Sequence, residues 1–294
     1  MTTAAAWRSL LFMPAHAERF VASAHRRGAD AIILDLEDAV ANSAKADARA
    51  AVVPNARRLA EQGLTVLVRV NADEALLQAD LRATVAARVA CVVVPKVESA
   101  AIVTMIAAEL ARLECETSGG GPTPILPLIE TPEGVLEARA IAGASERIVA
   151  LGFGPEDFAA VLGLPPDPVG LAMPAQLVAL AAHARQLAAI GLPGSIAAIE
   201  DLAEFAKLVD LARKLGFTGS MCIHPAQVPA LNAGFAPSVE EIAAAEAIRR
   251  GYEEALAKGE GVVAVGGRMV DPPVYARALT TLARGRHSGE QAPA

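Results

Sequence analysis

Short apolar, β-branched runs alternate along the chain with longer Ala-rich amphipathic stretches. This alternation is typical of parallel strands joined by crossover helices. The strand pattern occurs eight times, at 10–13, 31–36, 65–70, 91–96, 125–129, 148–152, 194–199 and 220–224. The helical pattern fills most of the gaps, at 17–27, 43–62, 75–88, 98–113, 132–142, 173–190 and 201–215.

Eight strands with intervening helices predict a TIM-type (β/α)8 barrel of the α/β class. A doubly wound sheet is the structural alternative, but no Gly-x-Gly-x-x-Gly sequence follows the first strand. The segment SGGGPTP at 118–124 lacks the Gly-Lys-Ser/Thr of a phosphate-binding loop, so it is predicted to be a flexible connection.

The residues after the eighth strand exceed what a barrel needs for closure. We therefore predict a barrel domain at 1–232 and a C-terminal helical arm at 233–294. Ser238 is the expected N-cap of a helix that ends on Gly259, and the pair at 266–267 predicts a β-turn. Asp271 and two prolines would begin the last helix, and residues 286–294 are predicted to be disordered.

Composition excludes two classes of partner. The net charge is −7 and the basic residues are scattered, which argues against a nucleic-acid surface. The 53% hydrophobic share is carried largely by Ala, and no uncharged apolar stretch of about 18 residues suggests a membrane span. The three cysteines form no Cys-x-x-Cys pair, so a reducing, cytoplasmic setting is expected.

Polar side chains follow most of the predicted strands. Because the active site of a parallel barrel lies at the carboxyl ends of its strands, these side chains should converge. They are Glu37 and Asp38 at the end of the second strand, Arg69 at the end of the third, Lys96 at the end of the fourth, Glu130 at the end of the fifth, Glu156 and Asp157 in the turn after the sixth, and His224 at the end of the eighth.

Each of these residues also has a purely structural explanation. Asp38, Asp157 or Asp271 could cap a helix, which typically stabilises by about 1 kcal/mol. Arg69 and Lys96 could pair with neighbouring carboxylates, and His224 could be a packed histidine.

Taken together, the carboxylates would repel one another unless a cation lay among them. Hard oxygen donors without Cys favour Mg²⁺, or alternatively Mn²⁺, over Zn²⁺. Glu130 and Asp157 are the predicted ligands, with Glu37 and Asp38 holding metal-bound waters further out. Arg69 could bind the carboxylate of a 2-oxo or 2-hydroxy acid, and such a site suits making or breaking a carbon–carbon bond.

Eight ordered motifs resemble the citrate lyase β-subunit-like family, also called the HpcH/HpaI aldolase and malyl-CoA lyase group. They are RSLLFMPAHAERF (8–20), GADAIILDLEDAV (28–40), VRVN (68–71), VPKVES (94–99), PLIETPEGV (127–135), GFGPEDFAAVLG (152–163), IHPAQV (223–228) and GGRMVDPP (266–273). The chain departs from the family pattern at Ala15, at LAMPAQ (171–176), at GLPGSIAAI (191–199) and at Ser220.

The resemblance implies a TIM barrel with a C-terminal arm, assembled as a homotrimer or hexamer. It implies a Mg²⁺-dependent lyase that acts on a 3-hydroxyacyl-CoA thioester and yields an oxoacid and an acyl-CoA. Glu130 and Asp157 match the metal ligands, and Arg69 matches the arginine that holds the oxoacid carboxylate. Asp271 matches a general acid/base that enters from an adjacent subunit.

The remaining expectations concern substrate binding. Glu37, Asp38, Lys96 and His224 would border the substrate. Four basic residues could meet the phosphates of CoA, namely Arg8, Arg19, Lys45 and Arg49.

Three alternatives stay open at this point. One is a CoA-independent class II aldolase of 4-hydroxy-2-oxoacids, although that branch generally lacks the long arm. Another is the β subunit of a citrate lyase complex that works on an acyl-carrier protein. The third is a thioesterase that hydrolyses malyl-CoA.

Overall fold

The computed structural model of the protein describes residues 7–117, 121–197 and 199–290. The chain forms two compact units, Met1–Phe235 and Ala236–Ala294. The boundary follows Phe235 rather than residue 232, because helix α10 (Val228–Phe235) packs on α9 (Leu202–Lys214) and on strand β1 (Ser9–Pro14) of the first unit.

The first unit is an eight-stranded parallel barrel. Its sheet has the order β7-β6-β5-β4-β3-β2-β1-β8, and a parallel bridge between Ile190 and Gly219 joins the two ends. The backbone N–H of Gly191 donates to the carbonyl of Gly219 at 2.9 Å across that junction. The predicted TIM-type fold is confirmed. After β1 come β2 (Ala31–Asp35), β3 (Thr65–Arg69), β4 (Cys91–Val94), β5 (Ile125–Ile129), β6 (Ala150–Phe153), β7 (Ala188–Gly191) and β8 (Ser220–Cys222).

Helices return the chain between successive strands, and side-chain caps begin several of them. Asp73, Asp167 and Asp201 each accept a hydrogen bond from a backbone N–H in the first turn of the helix that follows. The helices before α9 are α1 (Glu18–Val21), α2 (Lys45–Glu61), α3 (Glu74–Ala87), α4 (Ala100–Glu116), α5 (Pro132–Leu136), α6 (Ala138–Ala142), α7 (Pro155–Leu162) and α8 (Pro168–His183).

Two apolar layers hold the barrel together. Alternate strand residues such as Leu10, Ile33, Leu67 and Leu128 form a small inner cluster. Their neighbours along the strands pack in a larger outer cluster with the helices. This alternation follows from the pleat, since successive side chains point to opposite faces of a strand.

The prediction for the seventh strand is wrong. Residues 188–190, predicted as the end of the helix at 173–190, belong to β7, and α8 ends earlier at His183. Of the predicted strand 194–199, residues 194–197 and 199 belong to the loop after β7, and residue 198 lies outside the described residues. The sequence AAIG has little β-propensity, but burial on both faces inside a closed barrel favours small residues there.

The first crossover also differs from its prediction. Residues 17–27 form only the short helix α1 and a 3₁₀ turn at Ala24–Arg26. The predicted helix 132–142 is divided into α5 and α6. Part of the predicted flexible connection, residues 118–120, lies outside the described residues.

The second unit contains two helices and a hairpin. Helix α11 (Val239–Ala257) begins at a capping box, in which Ser238 and Glu241 exchange side-chain-to-backbone hydrogen bonds. Strands β9 (Val263–Val265) and β10 (Arg268–Val270) are antiparallel, and the glycines between them both have positive φ, as a tight hairpin turn requires. Residues 286–290, predicted to be disordered, belong to helix α12 (Pro272–Glu290), and residues 291–294 lie outside the described residues.

None of the helices in the described part of the chain combines the length and the apolar character that a membrane crossing requires.

Candidate active site

Strand pleating brings three charged side chains to the mouth of the barrel. Ile33, Leu67 and Leu128 belong to the inner cluster, and two residues further along the same strands lie Asp35, Arg69 and Glu130. Since residues i and i+2 share a face of a strand, the three charged residues continue the inward face at its carboxyl end. All three line a cavity of about 400 Å³ in the first unit.

Arg69 is fixed by a buried carboxylate. Its Nε and Nη2 donate to the two Asp35 oxygens at 2.7 Å each, and Asp35 is fully buried. Asp35 also accepts from the backbone N–H groups of Glu37 and Ala39. The guanidinium carbon lies 4.6 Å from the ring centre of Phe12. Asp35 therefore orients Arg69, a role that the sequence did not reveal.

These contacts set the ionisation of the pair. Burial alone would raise the pKa of Asp35, but the Arg69 guanidinium and the two backbone donors outweigh it, so this pKa lies below its usual value. Burial likewise opposes the charge on Arg69, yet its pKa is raised by the carboxylates of Asp35, Glu37 and Glu130. Asp35 and Arg69 form a charged pair.

Lys96 occupies the space between the acidic side chains. Its Nζ lies 3.1 Å from Glu37 Oε1, 3.9 Å from Asp38 Oδ1 and 3.8 Å from Asp157 Oδ2. Burial opposes the charge of Lys96, but these neighbours raise its pKa above the usual value. Lys96 and the carboxylates of Glu37 and Asp38 thus lie together at the mouth of the barrel, and their contact with substrate stays a prediction.

Glu37 remains incompletely paired. Burial raises its pKa, Arg69 opposes this change, and Asp38 adds to it. Its Oε2 lies 3.1 Å from Arg69 Nη1 but is buried without a hydrogen bond. A buried oxygen of this kind is an acceptor for a further donor.

The Glu130 carboxylate lies in a narrow space beside Gly154, here called the Gly154 cradle, which a larger residue at position 154 would fill. It is 4% exposed, and its Oε2 accepts a hydrogen bond from the backbone N–H of Lys96 at 2.8 Å. Lys96 has a φ of 53°, in the left-handed region. A Cβ at Gly154 would lie 2.4 Å from Glu130 Oε1, so only glycine leaves room for the carboxylate.

Burial raises the pKa of Glu130 to about 7, the Lys96 N–H opposes the shift, and the charges of Asp157 and Glu37 add to it. Asp157 lies in the first turn of α7, is partly exposed and lines the same cavity. Glu130 and Asp157 thus present two carboxylates to one space. Among the described residues, no group of three or more His, Cys, Asp or Glu side chains is arranged to hold a metal ion.

His224 lies outside this cavity. Its Nδ1 accepts from the backbone N–H of Ala226 and caps the 3₁₀ turn at Pro225–Gln227. The ring borders a neighbouring cavity, which shares Phe12, Phe20 and Ile223 with the first one. A role for His224 in substrate binding stays a prediction.

The four basic residues that were predicted to contact the phosphates of CoA lie in different parts of the barrel. Arg8 precedes β1 at the opposite end of the barrel, where it forms a two-pronged pair with Asp30, so its position argues against a role at the mouth. Lys45 donates to the carbonyls of Leu36 and Glu37 and to Asn71 Oδ1, which uses all three of its protons.

Arg49 is engaged in a similar way, since its Nε donates to the fully buried Asp80 at 2.5 Å. Lys45 and Arg49 therefore fasten the loops after β2 and β3. Arg19 lies in α1 after β1, with its guanidinium over the Phe20 ring. Contact of these four basic residues with the phosphates of CoA stays a prediction.

The comparison with family models matches residues 8–225 to the family described as HpcH/HpaI aldolase/citrate lyase. The chain belongs to this family. The family is one of lyases, and the matched range includes Arg69, Glu130 and Asp157.

Relatives in this family match nearly the whole chain. A citrate lyase subunit beta-like protein of Deinococcus radiodurans is 36% identical and covers 94% of this chain and 96% of its own length. A (3S)-malyl-CoA thioesterase of Cereibacter sphaeroides is also 36% identical, with 95% and 94% covered. The protein CitE of Mycobacterium tuberculosis, solved with magnesium, acetoacetate and coenzyme A, superposes with a TM-score of 0.73 at 31% identity, over 95% of this chain and 97% of that one.

The Gly154 cradle gives the first testable expectation for this family member. Gly154→Ala should displace the Glu130 carboxylate and weaken Mg²⁺ binding by about 10–100-fold, the usual effect of disturbing the support of a metal ligand. Mn²⁺ binding followed by electron paramagnetic resonance would measure it. Gly163→Ala is the control, because a Cβ there meets nothing within 4 Å, although its positive φ adds local strain. Equal Mn²⁺ affinity in Gly154→Ala and wild type would show that metal binding does not depend on the space that Gly154 leaves for the Glu130 carboxylate.

The pKa of Glu130 gives a second expectation, for the metal-free protein. The folded-state pKa of about 7 exceeds the 4.5 of an unperturbed glutamate, so the fold favours the protonated form. Stability should fall as pH rises from about 4.5 to about 7, because the unfolded state loses this proton first. Urea midpoints in EDTA at pH 5.5 and 7.5 should differ more in wild type than in Glu130→Gln. An identical pH response in both proteins would exclude a raised pKa.

Proposed function

We propose that the protein is a Mg²⁺-dependent carbon–carbon lyase acting on a 3-hydroxyacyl-CoA thioester of the malyl, citramalyl or citryl type. The products would be an oxoacid and an acyl-CoA. The observation that carries the proposal is the convergence of Arg69, Glu130 and Asp157 on one cavity at the carboxyl ends of the strands. The magnesium, acetoacetate and coenzyme A in the solved relative support it.

The donor set fits Mg²⁺. Glu130 and Asp157 supply two carboxylates, and Mg²⁺ typically takes one or two protein carboxylates together with water and substrate oxygens. Burial and like charge make the ionised Glu130 unfavourable without a cation, and Glu37 Oε2 offers an unpaired acceptor for a bound water. Glu130 and Asp157 would hold the ion, which would supply Lewis-acid stabilisation of negative charge on the oxoacid oxygen.

Arg69 would bind the carboxylate of the oxoacid portion. Asp35 accepts from Nε and Nη2, and Nη1 lies 3.1 Å from Glu37 Oε2 and 3.6 Å from Asp38 Oδ2. An oxoacid carboxylate would take the second N–H of Nη2 and would replace these two carboxylates at Nη1 in a two-pronged contact. Because Arg69 lines the cavity and is held by a fully buried partner, its guanidinium is oriented before substrate arrives. Such preorganisation lowers the entropic cost of reaching the reactive geometry.

The reaction breaks the bond between the acyl α-carbon and the hydroxyl-bearing carbon. The hydroxyl group transfers its proton to a water molecule and becomes the carbonyl of the oxoacid, while the bonding electron pair stays on the α-carbon of the acyl thioester. We assign the protonation of that carbon to Asp271, which lies in the second unit and would be delivered by an adjacent copy of a homotrimer or hexamer. The reverse condensation uses the same groups.

Asp271 has a structural role as well, since it accepts a hydrogen bond from the Val274 N–H at the start of α12. Asp271→Asn keeps an acceptor for that bond but removes the base. We expect the variant to lose deuterium exchange into the methyl group of acetyl-CoA, by about 10²–10⁴-fold, while retaining oxoacid binding. Exchange measured by nuclear magnetic resonance at the wild-type rate would exclude Asp271 as the acid/base.

The thioesterase relative makes hydrolysis of the thioester a second candidate. Incubation with Mg²⁺ and malyl-CoA, citramalyl-CoA or citryl-CoA separates the two by chromatography of the products. A lyase yields acetyl-CoA and an oxoacid, whereas a thioesterase yields free CoA and a hydroxyacid. No turnover of any free CoA ester would favour an acyl-carrier-protein subunit, and cleavage of 4-hydroxy-2-oxoacids would favour the CoA-independent aldolase.

A further inference from the structure

The charged side chains that line the cavity at the barrel mouth come mainly from one side of the barrel, and the other side is mainly apolar. From the distribution of charged and apolar side chains around the cavity, we infer that the site selects 2-oxoacid monoanions with hydrogen or a small alkyl group on the carbonyl, such as glyoxylate and pyruvate. It would discriminate against the dicarboxylate oxaloacetate. The inference rests on the proposed function and names the substrate class of the same site.

The apolar side comes from β1, β8 and the loop after β7. Phe12, Met221, Ile223 and Ile196 line the cavity there. The side chains from the other strands include the carboxylates of Asp35, Asp38, Glu130 and Asp157. Once Arg69 holds the carboxylate of an oxoacid, a substituent on its carbonyl that points away from the carboxylates meets the apolar side.

Backbone contacts hold Ile196 in this wall. Its N–H donates to Glu156 Oε1 at 3.0 Å, and its carbonyl accepts from Gln227 Nε2 at 2.8 Å. Glu156 also accepts from the Ser195 hydroxyl at 2.6 Å, and the fully buried Gln227 accepts from the N–H groups of Ile223 and His224. The loops after β6, β7 and β8 are thereby joined, so the backbone of Ile196 cannot move away from the cavity without breaking both bonds.

The charges around the cavity disfavour a second carboxylate on the oxoacid. Among the described residues that line the cavity, Arg69 alone has a cationic side chain; Asp35 already uses two of its N–H groups, and Glu37 Oε2 lies 3.1 Å from Nη1. A Mg²⁺ ion held by Glu130 and Asp157 would be balanced in charge by those two carboxylates. Lys96, outside that lining, is engaged by Glu37 and lies near two further carboxylates. The second carboxylate of oxaloacetate would meet aliphatic side chains or other carboxylates, and either contact is unfavourable for a charge that leaves water.

Calorimetric titration of the full chain at a fixed free Mg²⁺ concentration tests this inference. The probes are pyruvate, 2-oxobutyrate and oxaloacetate, the last freshly dissolved because it decarboxylates to pyruvate. We expect pyruvate to bind roughly tenfold or more tightly than oxaloacetate, which is the penalty for an unpaired charge in a partly buried site.

Ile196→Arg places a cation in the apolar wall and should shift the pyruvate-to-oxaloacetate preference by about tenfold toward oxaloacetate. Ile223→Arg is the second variant, since Ile223 is 47% exposed and an arginine there is compatible with folding. Val169→Arg is the matched control, because Val169 is 98% exposed and does not line the cavity. The pyruvate-to-oxaloacetate preference of Val169→Arg should equal that of wild type.

Two results would overturn the inference while leaving the proposed function intact. One is wild-type affinity for oxaloacetate equal to or above that for pyruvate, and the other is an unchanged preference in both arginine variants. Absence of Mg²⁺-dependent binding for all three oxoacids would instead overturn the proposed function.

Discussion

Asp35→Ala is expected to lower the free energy of unfolding by about 3–5 kcal/mol, as is typical when one partner of a buried ion pair is removed. The change leaves the guanidinium of Arg69 buried beside Glu37 without its two-pronged partner, and it removes the acceptor for the N–H groups of Glu37 and Ala39. Urea denaturation followed by circular dichroism would measure the loss in metal-free protein.

Glu61→Ala is the control for charge removal as such. It breaks the exposed pair of Arg57 and Glu61 on α2, for which an effect of only about 0.3–0.5 kcal/mol is expected. A similar small effect of Asp35→Ala would show that Arg69 is oriented by its other contacts.

Asp35→Asn separates orientation from stability. The amide preserves the shape of the side chain, but its NH2 group would face an N–H of the guanidinium, and both groups are donors. Arg69 should therefore lose its fixed position. We expect pyruvate affinity to fall by about 10–100-fold with the fold retained, in line with the effect of a small misplacement of a binding group. Wild-type pyruvate affinity in this variant would remove Asp35 from the binding machinery.

Glu130→Gln is expected to reduce Mg²⁺-dependent turnover by about 10²–10³-fold, corresponding to several kcal/mol of transition-state stabilisation. Glutamine can still accept the hydrogen bond from the Lys96 N–H, but it cannot supply the negative charge that a divalent ion requires. Asp157→Asn should have a comparable effect. Steady-state rates across a Mg²⁺ series, together with direct Mn²⁺ binding, distinguish a lost metal site from a lost substrate contact.

Glu133→Gln is the matched control, because Glu133 is exposed in the first turn of α5, close to Glu130 in the sequence. It should retain wild-type turnover and Mn²⁺ affinity. If Glu130→Gln behaved like this control, the assignment of Glu130 as a metal ligand would have to be abandoned.

Hydrophobic periodicity predicted the barrel because seven of its strands are predominantly apolar runs, of which β2, β3, β4 and β5 are rich in β-branched residues. The seventh strand, β7, was missed since Ala188, Ala189 and Gly191 are small residues that have no local preference for extended structure. Their conformation is decided by burial between β6 and β8. Tertiary context of this kind leaves no periodic trace in a single sequence.

The charged residues at the strand ends were found by the same topological argument, but their partners were not. The sequence placed Arg69 and Glu130 at the mouth, whereas the pairing of Arg69 with Asp35 depends on the register between β2 and β3. Arg8 precedes β1 and therefore lies at the opposite end of the barrel, although it stands in the same motif as residues that reach the mouth. The cradle at Gly154 depends on the close approach of β5 and the loop after β6, which no spacing rule describes.

The two hydrogen bonds to the Ile196 backbone limit how this barrel can be re-engineered. TIM barrels are often treated as scaffolds whose loops can be exchanged one at a time. Here the loop after β7 is joined through Glu156 to the turn after β6 and through Gln227 to the segment after β8. A graft of the β7 loop from a relative would therefore have to include compatible residues at both positions, so the three loops form a single unit for exchange.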